Sequence, residues 1–306
     1  MTRVAYQGLA GAYSEEAARQ RFGPEAEAVP HETFADVFRS VELGTCDYGM
    51  LPVENSVAGS VNQSYELLIE HDLRIFAEVI LRVTHMLLAP AGNALHTIRT
   101  VRSHPQALAQ CQRYIARHGF RAEMSADTAG AAHDLAKCPE EGVAVIASEA
   151  AASLAGLEIL DRRIEDAPTN FTRFFVLSRE DAPRAQRSKT SLVFTTPHQP
   201  GALHACLGEF ASRRVSLSKI ESRPRPNRPW QYVFYLDFEG HCRDSKCEAA
   251  LLGLLLRSSF VKMLGSYPAA VTPIETDDMG SALVGTADDE HEPEAADRPV
   301  PAAEAL

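Results

Sequence analysis

The chain has 306 residues, 45% of them hydrophobic, which is enough for two cored domains, and it contains no apolar run long enough to span a bilayer. Its formal charge is −11, but residues 275–306 hold ten Asp/Glu against one Arg, so the remainder lies near −2 and offers no basic stripe to nucleic acid. Cys46, Cys111, Cys138, Cys206, Cys242 and Cys247 are scattered without a CxxC pair, and Met1–Gly8 lacks the basic and apolar parts of a secretory leader; both point to reduced thiols in the cytoplasm.

In chain order, Val4–Gln7 reads as a strand, a glycine loop follows, and a helix begins at Ser14. Thr33 is placed to start a helix whose Phe34, Val37, Phe38 and Val41 share one face, with Gly44 where a C-terminal cap belongs. Tyr48–Val53, Ile75–Val83, Thr100–Arg102, Val143–Ala147 and Phe171–Leu177 read as further strands, with helices from Pro105, Asp127 and Ser148 between them. This alternation predicts an α/β domain over residues 1–183, built as two lobes, with the chain crossing back near 165–172. Ser178–Ser188 lacks periodicity and reads as a linker. From Lys189 the order strand, helix, strand, strand, helix, strand predicts a second, ferredoxin-like βαββαβ domain over 189–270. The Ala, Pro, Asp and Glu composition of 272–306 predicts an acidic disordered tail.

Four loops are polar where ligands bind α/β sheets, since helix N-termini there offer free amides to anions. Gly8-Leu9-Ala10-Gly11-Ala12-Tyr13-Ser14 lacks the lysine of a phosphate loop and the full GxGxxG pattern, so it fits a non-nucleotide ligand or a tight turn capped by Ser14. Glu54, Asn55 and Ser56 follow a strand directly, either as site residues or as caps for the next helix. Ser103-His104-Pro105-Gln106 ends a strand and starts a helix that carries Gln110; His104 fits a cap position. In Asn170-Phe171-Thr172-Arg173-Phe174, strand alternation puts Asn170 and Thr172 on one face and Phe171 and Arg173 on the other. No Ser-His-Asp order, HExxH or Cys/His metal spacing accompanies these loops.

Together these segments resemble the prephenate dehydratase family over nearly all of residues 3–268, through Asn170 with Thr172-Arg173-Phe174, Pro52–Val61 and Ser103–Gln110. The resemblance implies a periplasmic-binding-protein-like pair of lobes with the site in the cleft. It makes Thr172 the central catalytic group, with Glu54, Asn55, Ser103 and Gln110 around the substrate. It also makes the second domain similar to an ACT domain, in which Gly201-Ala202-Leu203 and Glu221-Ser222-Arg223-Pro224 match the two phenylalanine-site motifs. No chorismate mutase segment is expected before the dehydratase region.

The implied reaction removes CO2 and water from prephenate, and aromatisation drives it without cofactor, metal or covalent intermediate. Thr172 is expected to donate to the departing hydroxyl, Glu54 to act as acid or orienting acceptor, and Asn55, Ser56, Asn170 and the Gly11–Ala12 amides to hold the substrate. Arg173 can pair with a substrate carboxylate or serve the fold. L-phenylalanine is expected to inhibit from the junction of two ACT domains in a homodimer or homotetramer. Two alternatives stand beside this reading: arogenate as substrate, and a catalytically silent amino-acid-binding regulator.

Overall fold

The computed structural model describes residues 1–224 and 232–271. The acidic segment from residue 272 onward and the Arg/Pro connection at Arg225–Pro229 lie outside the described residues.

The first lobe comprises β1 (Arg3–Gln7), α1 (Tyr13–Phe22), β2 (Glu27–His31), α2 (Phe34–Glu42), β3 (Tyr48–Asn55), the short β4 (Gly59–Ser60), α3 (Asn62–Glu70) and β5 (Arg74–Arg82). The second comprises β6 (Met86–Ala89), β7 (Thr100–Ser103), α4 (Pro105–Gln110), α5 (Gln112–His118), β8 (Arg121–Met124), α6 (Thr128–Lys137), β9 (Val143–Ala147), α7 (Glu149–Ala155) and β10 (Glu158–Arg162). The chain then returns to the first lobe as β11 (Phe171–Ser178). A third sheet is formed by β12 (Ser188–Thr195), α8 (Ala202–Ala211), β13 (Leu217–Pro224), β14 (Tyr232–Glu239), α9 (Ser245–Arg257) and β15 (Phe260–Pro268).

The sheet orders are β2-β1-β3-β11-β5, with β4 paired to β3; β10-β6-β9-β7-β8; and β13-β14-β12-β15. In the first sheet β1 runs parallel to β2 and β3, and β11 inserts antiparallel between β3 and β5. The third sheet has the βαββαβ order expected from Lys189 onward. Strands missed in the sequence are β2, the two-residue β4, β6, β8 and β10; β2 and β8 show why. Glu-Ala-Val-Pro-His and Arg-Ala-Glu-Met lie at sheet edges, are mostly solvent-facing, and carry too few apolar side chains to show alternation.

The buried strands follow from pattern. Val-Ala-Val-Ile-Ala of β9 is buried along its length because both its faces are covered. Val143, Val145 and Ala147 pack with Ala129, Leu135 and Ala151, while Ala144 and Ile146 pack with Leu108 and Ile115. Strand β11 divides likewise. Phe174 and Val176 join the core that holds Ala17 and Ala18 of α1, and Phe175 and Leu177 join a core shared with the third sheet. Thr33 caps α2 by accepting the Asp36 amide at 3.2 Å, and Gly44 takes the left-handed φ of +72° just past its end.

The third sheet packs one face onto the back of the first lobe. Val193, Val233, Tyr235, Leu264 and Tyr267 share one core with Phe38, Leu68, Phe175 and Leu177. Each such large apolar side chain contributes about 1.5–3 kcal/mol when fully buried. The backbones also meet: a Cβ on Gly265 of β15 would lie 2.5 Å from the Ile75 carbonyl oxygen of β5, so only glycine permits this crossing. Accordingly Met1–Ala270 form a single compact unit rather than separable bodies.

Candidate active site

A cleft of about 460 Å³ opens between the two lobes. The first lobe contributes Gly8, Ala12, Tyr13, Thr33, Asn55, Thr172 and Phe174, and the segments beyond β5 contribute His85, His104, Gln106, Gln110 and Thr128. Among the described residues no Lys or Arg lines it. The first residues of α1, α2, α3, α4 and α6 do, so several helix N-termini converge on the same space.

At the floor, three primary amides close a head-to-tail ring. Gln110 Nε2 donates to Asn55 Oδ1 at 3.4 Å, Asn55 Nδ2 donates to Asn170 Oδ1 at 2.8 Å, and Asn170 Nδ2 donates to Gln110 Oε1 at 3.0 Å. The ring has one sense only, because the backbone amides of Val57 and Ala58 donate to Asn55 Oδ1 at 3.0 and 2.8 Å. Asn55 Nδ2 therefore also donates to Thr172 Oγ1, 3.0 Å away. Register makes this possible: Thr172 of β11 stands directly opposite Asn55 of β3. With its oxygen occupied as an acceptor, the Thr172 hydroxyl has its own proton available to the cleft.

Two groups that sequence reasoning missed extend this floor. His85 is 2% exposed; its Nε2 lies 2.8 Å from Gln110 Oε1 and its Nδ1 2.8 Å from the Tyr13 hydroxyl. Burial pushes the imidazole below its ordinary range, against the opposing pull of Gln110 and Glu165, and burial pushes the Tyr13 hydroxyl well up. The usable signal was a histidine placed between the end of β5 and the apolar run Met86–Ala89. His104 caps α4 by accepting the Gln106 amide at 3.2 Å, as expected, and also lines the cleft.

The predicted residues divide. Thr172, Asn55, Gln110 and Asn170 come together, and Ala12 reaches the cleft wall. In five others the polar groups are engaged by the protein itself rather than turned into the cleft. Arg173 faces away from the cleft, because successive strand residues point to opposite faces. Its guanidinium lies 2.7 Å from Glu78, 2.6 Å from Asp237 and 3.0 Å from the Tyr267 hydroxyl. Glu54 faces the same rear side for the same reason, one residue from Asn55, and pairs with Lys219 at 3.1 Å. Ser103 is fully buried and donates to the Ile146 carbonyl at 2.6 Å, tying β7 to β9. Ser56 donates to the Thr169 carbonyl at 2.7 Å and accepts the Phe171 amide at 2.9 Å, closing the loop onto β11. Gly11 packs where a Cβ would lie 2.7 Å from Ala151 Cα, and its amide donates to Glu15 rather than to a ligand.

The second set of motifs also divides by strand alternation. Glu221 and Arg223 of β13 face the first lobe: Glu221 accepts from Ser60 Oγ at 2.5 Å, and Arg223 reaches Asn62 Oδ1 at 2.7 Å and stacks 4.8 Å over Tyr65. Ser222 and Pro224 lie on the opposite, exposed face. Gly201 takes a left-handed φ of 78° as it enters α8, followed by Ala202 and the partly buried Leu203.

Two α/β lobes around a polar cleft whose lining includes the carboxylates Glu32 and Asp127, with a βαββαβ sheet behind the site strand, define the class. The model of the family described as prephenate dehydratase matches residues 4–182, and the chain belongs to that family. It is 44% identical to arogenate dehydratase/prephenate dehydratase 2, chloroplastic, of Arabidopsis thaliana over 281 residues, which is 88% of this chain and 74% of that protein. Among solved structures, prephenate dehydratase of Arthrobacter aurescens in complex with L-Phe superposes with a TM-score of 0.80 at 32% identity, covering 93% of this chain and 100% of that one. GqqA, described as a novel type of quorum quenching acylase, superposes with a TM-score of 0.81 at 37% identity, covering 89% of this chain and 99% of that one.

Proposed function

We propose that residues 1–183 catalyse the decarboxylating dehydration of prephenate to phenylpyruvate, CO2 and water in L-phenylalanine biosynthesis. The observation that carries this is the polarity of Thr172. Its oxygen accepts from Asn55, so its hydroxyl is a donor, which is what a departing hydroxyl requires. In one aromatising step the C–COO⁻ bonding pair enters the ring to complete its aromatic sextet, the C–O pair leaves with the hydroxyl, and a proton delivered from solvent through Thr172 makes that hydroxyl water. The two substrate carboxylates enter a cleft without cationic side chains, so the converging helix N-termini are assigned to hold them. Acyl transfer fits this site less well, since a nucleophilic Thr172 would need a neighbouring base, and its neighbour Asn55 is a donor.

Residues 189–270 serve in this reading as an ACT regulatory domain that binds L-phenylalanine between copies in a homodimer or homotetramer. The first-lobe contacts of Glu221 and Arg223 support inhibition through the structure, because Ser60 and Asn62 belong to the segment that follows Asn55. Gly201–Leu203, Ser222 and Pro224 remain to contact the effector. The six free cysteines suit a reducing compartment, for which we propose the cytoplasm.

The test is phenylpyruvate formation by purified protein without added cofactor, with and without L-phenylalanine, with arogenate assayed in parallel. Thr172→Val, which keeps the shape and loses the hydroxyl, is expected to lower kcat by about 10²–10⁴-fold, while Thr172→Ser retains activity. A Thr172→Val protein that turns over at the wild-type rate refutes the assignment. Phenylalanine formed from arogenate, with prephenate untouched, moves the substrate to its amino analogue.

A further inference from the structure

The amide ring that orients Thr172 is anchored from both ends, and its second anchor has no role in the reaction as derived so far. Gln110 Oε1 accepts from Asn170, so it faces His85 Nε2 as an acceptor, and Nε2 must carry hydrogen. We infer that His85 is a positioning residue: held as the Nε2–H tautomer by the Tyr13 hydroxyl at Nδ1, it locks at Gln110 the ring sense that Val57 and Ala58 impose at Asn55, and so holds the direction in which Thr172 donates.

Reversing the ring would turn Asn55 Nδ2 toward the Val57 and Ala58 amides, three donors with no acceptor among them, and would put Gln110 Nε2 against His85 Nε2–H. Thr172 Oγ1 would then face Asn55 Oδ1 and would give its proton to that oxygen instead of to the cleft. In the observed sense each amide nitrogen of the ring meets an acceptor. Tyr13 completes it, because a neutral imidazole that donates from Nε2 must accept at Nδ1, and the Tyr13 hydroxyl lies 2.8 Å away. The Thr84 carbonyl, also 2.8 Å from that hydroxyl, offers Tyr13 a competing acceptor. If Tyr13 gave its proton to it, Nδ1 would be either a buried acceptor without a donor or protonated in an imidazolium, and burial opposes both.

The inference rests on the dehydratase reading for its catalytic consequence but not for its structural claim, and the experiment separates the two. The full chain, labelled with ¹⁵N-histidine, is observed by long-range ¹H–¹⁵N correlation at pH 7, with His85 assigned by its loss in His85→Gln. A protonated Nε2 and a bare Nδ1 are expected, whatever the substrate; a protonated Nδ1, or an imidazolium, overturns the inference. The activity arm compares replacements. His85→Gln places an amide nitrogen near the former Nε2 and is expected to keep kcat within about threefold, whereas His85→Phe, which has the ring without the donor, is expected to lose about tenfold to a hundredfold in kcat with KM little changed. Equal activity of the Gln and Phe proteins, both folded by circular dichroism, also overturns it. If no substrate turns over in the wild type, the dehydratase reading falls while the tautomer result stands.

Discussion

Replacing Asp237 by Asn should destabilise the protein far more than replacing the nearby Glu54 by Gln, although both remove one carboxylate facing Arg173. Asp237 lies 2.6 Å from the Arg173 guanidinium, with side-chain exposures of 6% and 13%. Glu78, fully buried, holds Arg173 at 2.7 Å and Lys189 at 2.8 Å, so two cations and two anions balance between the site strand and the third sheet. Asp237→Asn leaves an uncompensated buried positive charge, and breaking a buried pair in this way costs about 3–5 kcal/mol. Glu54 is 38% exposed and 4.0 Å from Arg173, its nearer partner being Lys219 at 3.1 Å, and exposed pairs of this kind are worth about 0–1 kcal/mol. Urea unfolding followed by circular dichroism measures the difference as a change in midpoint at constant slope. A gap between the two variants below about 1 kcal/mol would refute the buried-cluster argument. Since the cluster ties β11 to β12, β14 and β15, Asp237→Asn should also blunt the inhibition by L-phenylalanine that we propose.

The same cluster sets an acid limb. Burial alone would raise the Glu78 carboxyl, but Arg173 and Lys189, with the Ala270 amide, hold it below the ordinary range. A carboxyl lowered on folding contributes stability that is present above its unfolded value, about 4.3, and is lost as pH falls through the folded value. Glu78→Gln should therefore be less stable at neutral pH and show a shallower loss below about pH 4; an unchanged acid slope in urea titrations would count against it. Ser103→Ala should cost about 1 kcal/mol through the lost bond to the Ile146 carbonyl while leaving KM and kcat near wild type, and a hundredfold fall in kcat in a fully folded Ser103→Ala protein would return Ser103 to the site.

The legible part of the molecule is the part governed by local period. Continuous apolar runs revealed β9, and the alternation Asn170-Phe171-Thr172-Arg173 correctly separated Thr172 from Arg173. The same rule, applied one strand earlier, separates Asn55 from Glu54, yet the proximity of the two in sequence had grouped them in one site. Ser103 shows a different limit. Whether a strand-end hydroxyl turns to a ligand or to the neighbouring strand depends on where β9 lies, and no local pattern records that. Tyr13 and His85 are further out of reach, since their bond exists only because the segment after β5 passes beside the start of α1. Edge strands β2 and β8 were hidden because an edge needs few buried residues to hold its place.

Strand β11 has a consequence for how the chain is made. Until it emerges from the ribosome, β3 and β5 of the first sheet have open hydrogen-bonding edges toward each other, and the whole second lobe must be synthesised before the gap closes. The rear apolar face of that sheet waits longer still, for the third sheet that shares its core. β15, the last strand among the described residues, is thus the one that completes the cover over this face, and a chain stalled before it still presents an unpaired β12 edge.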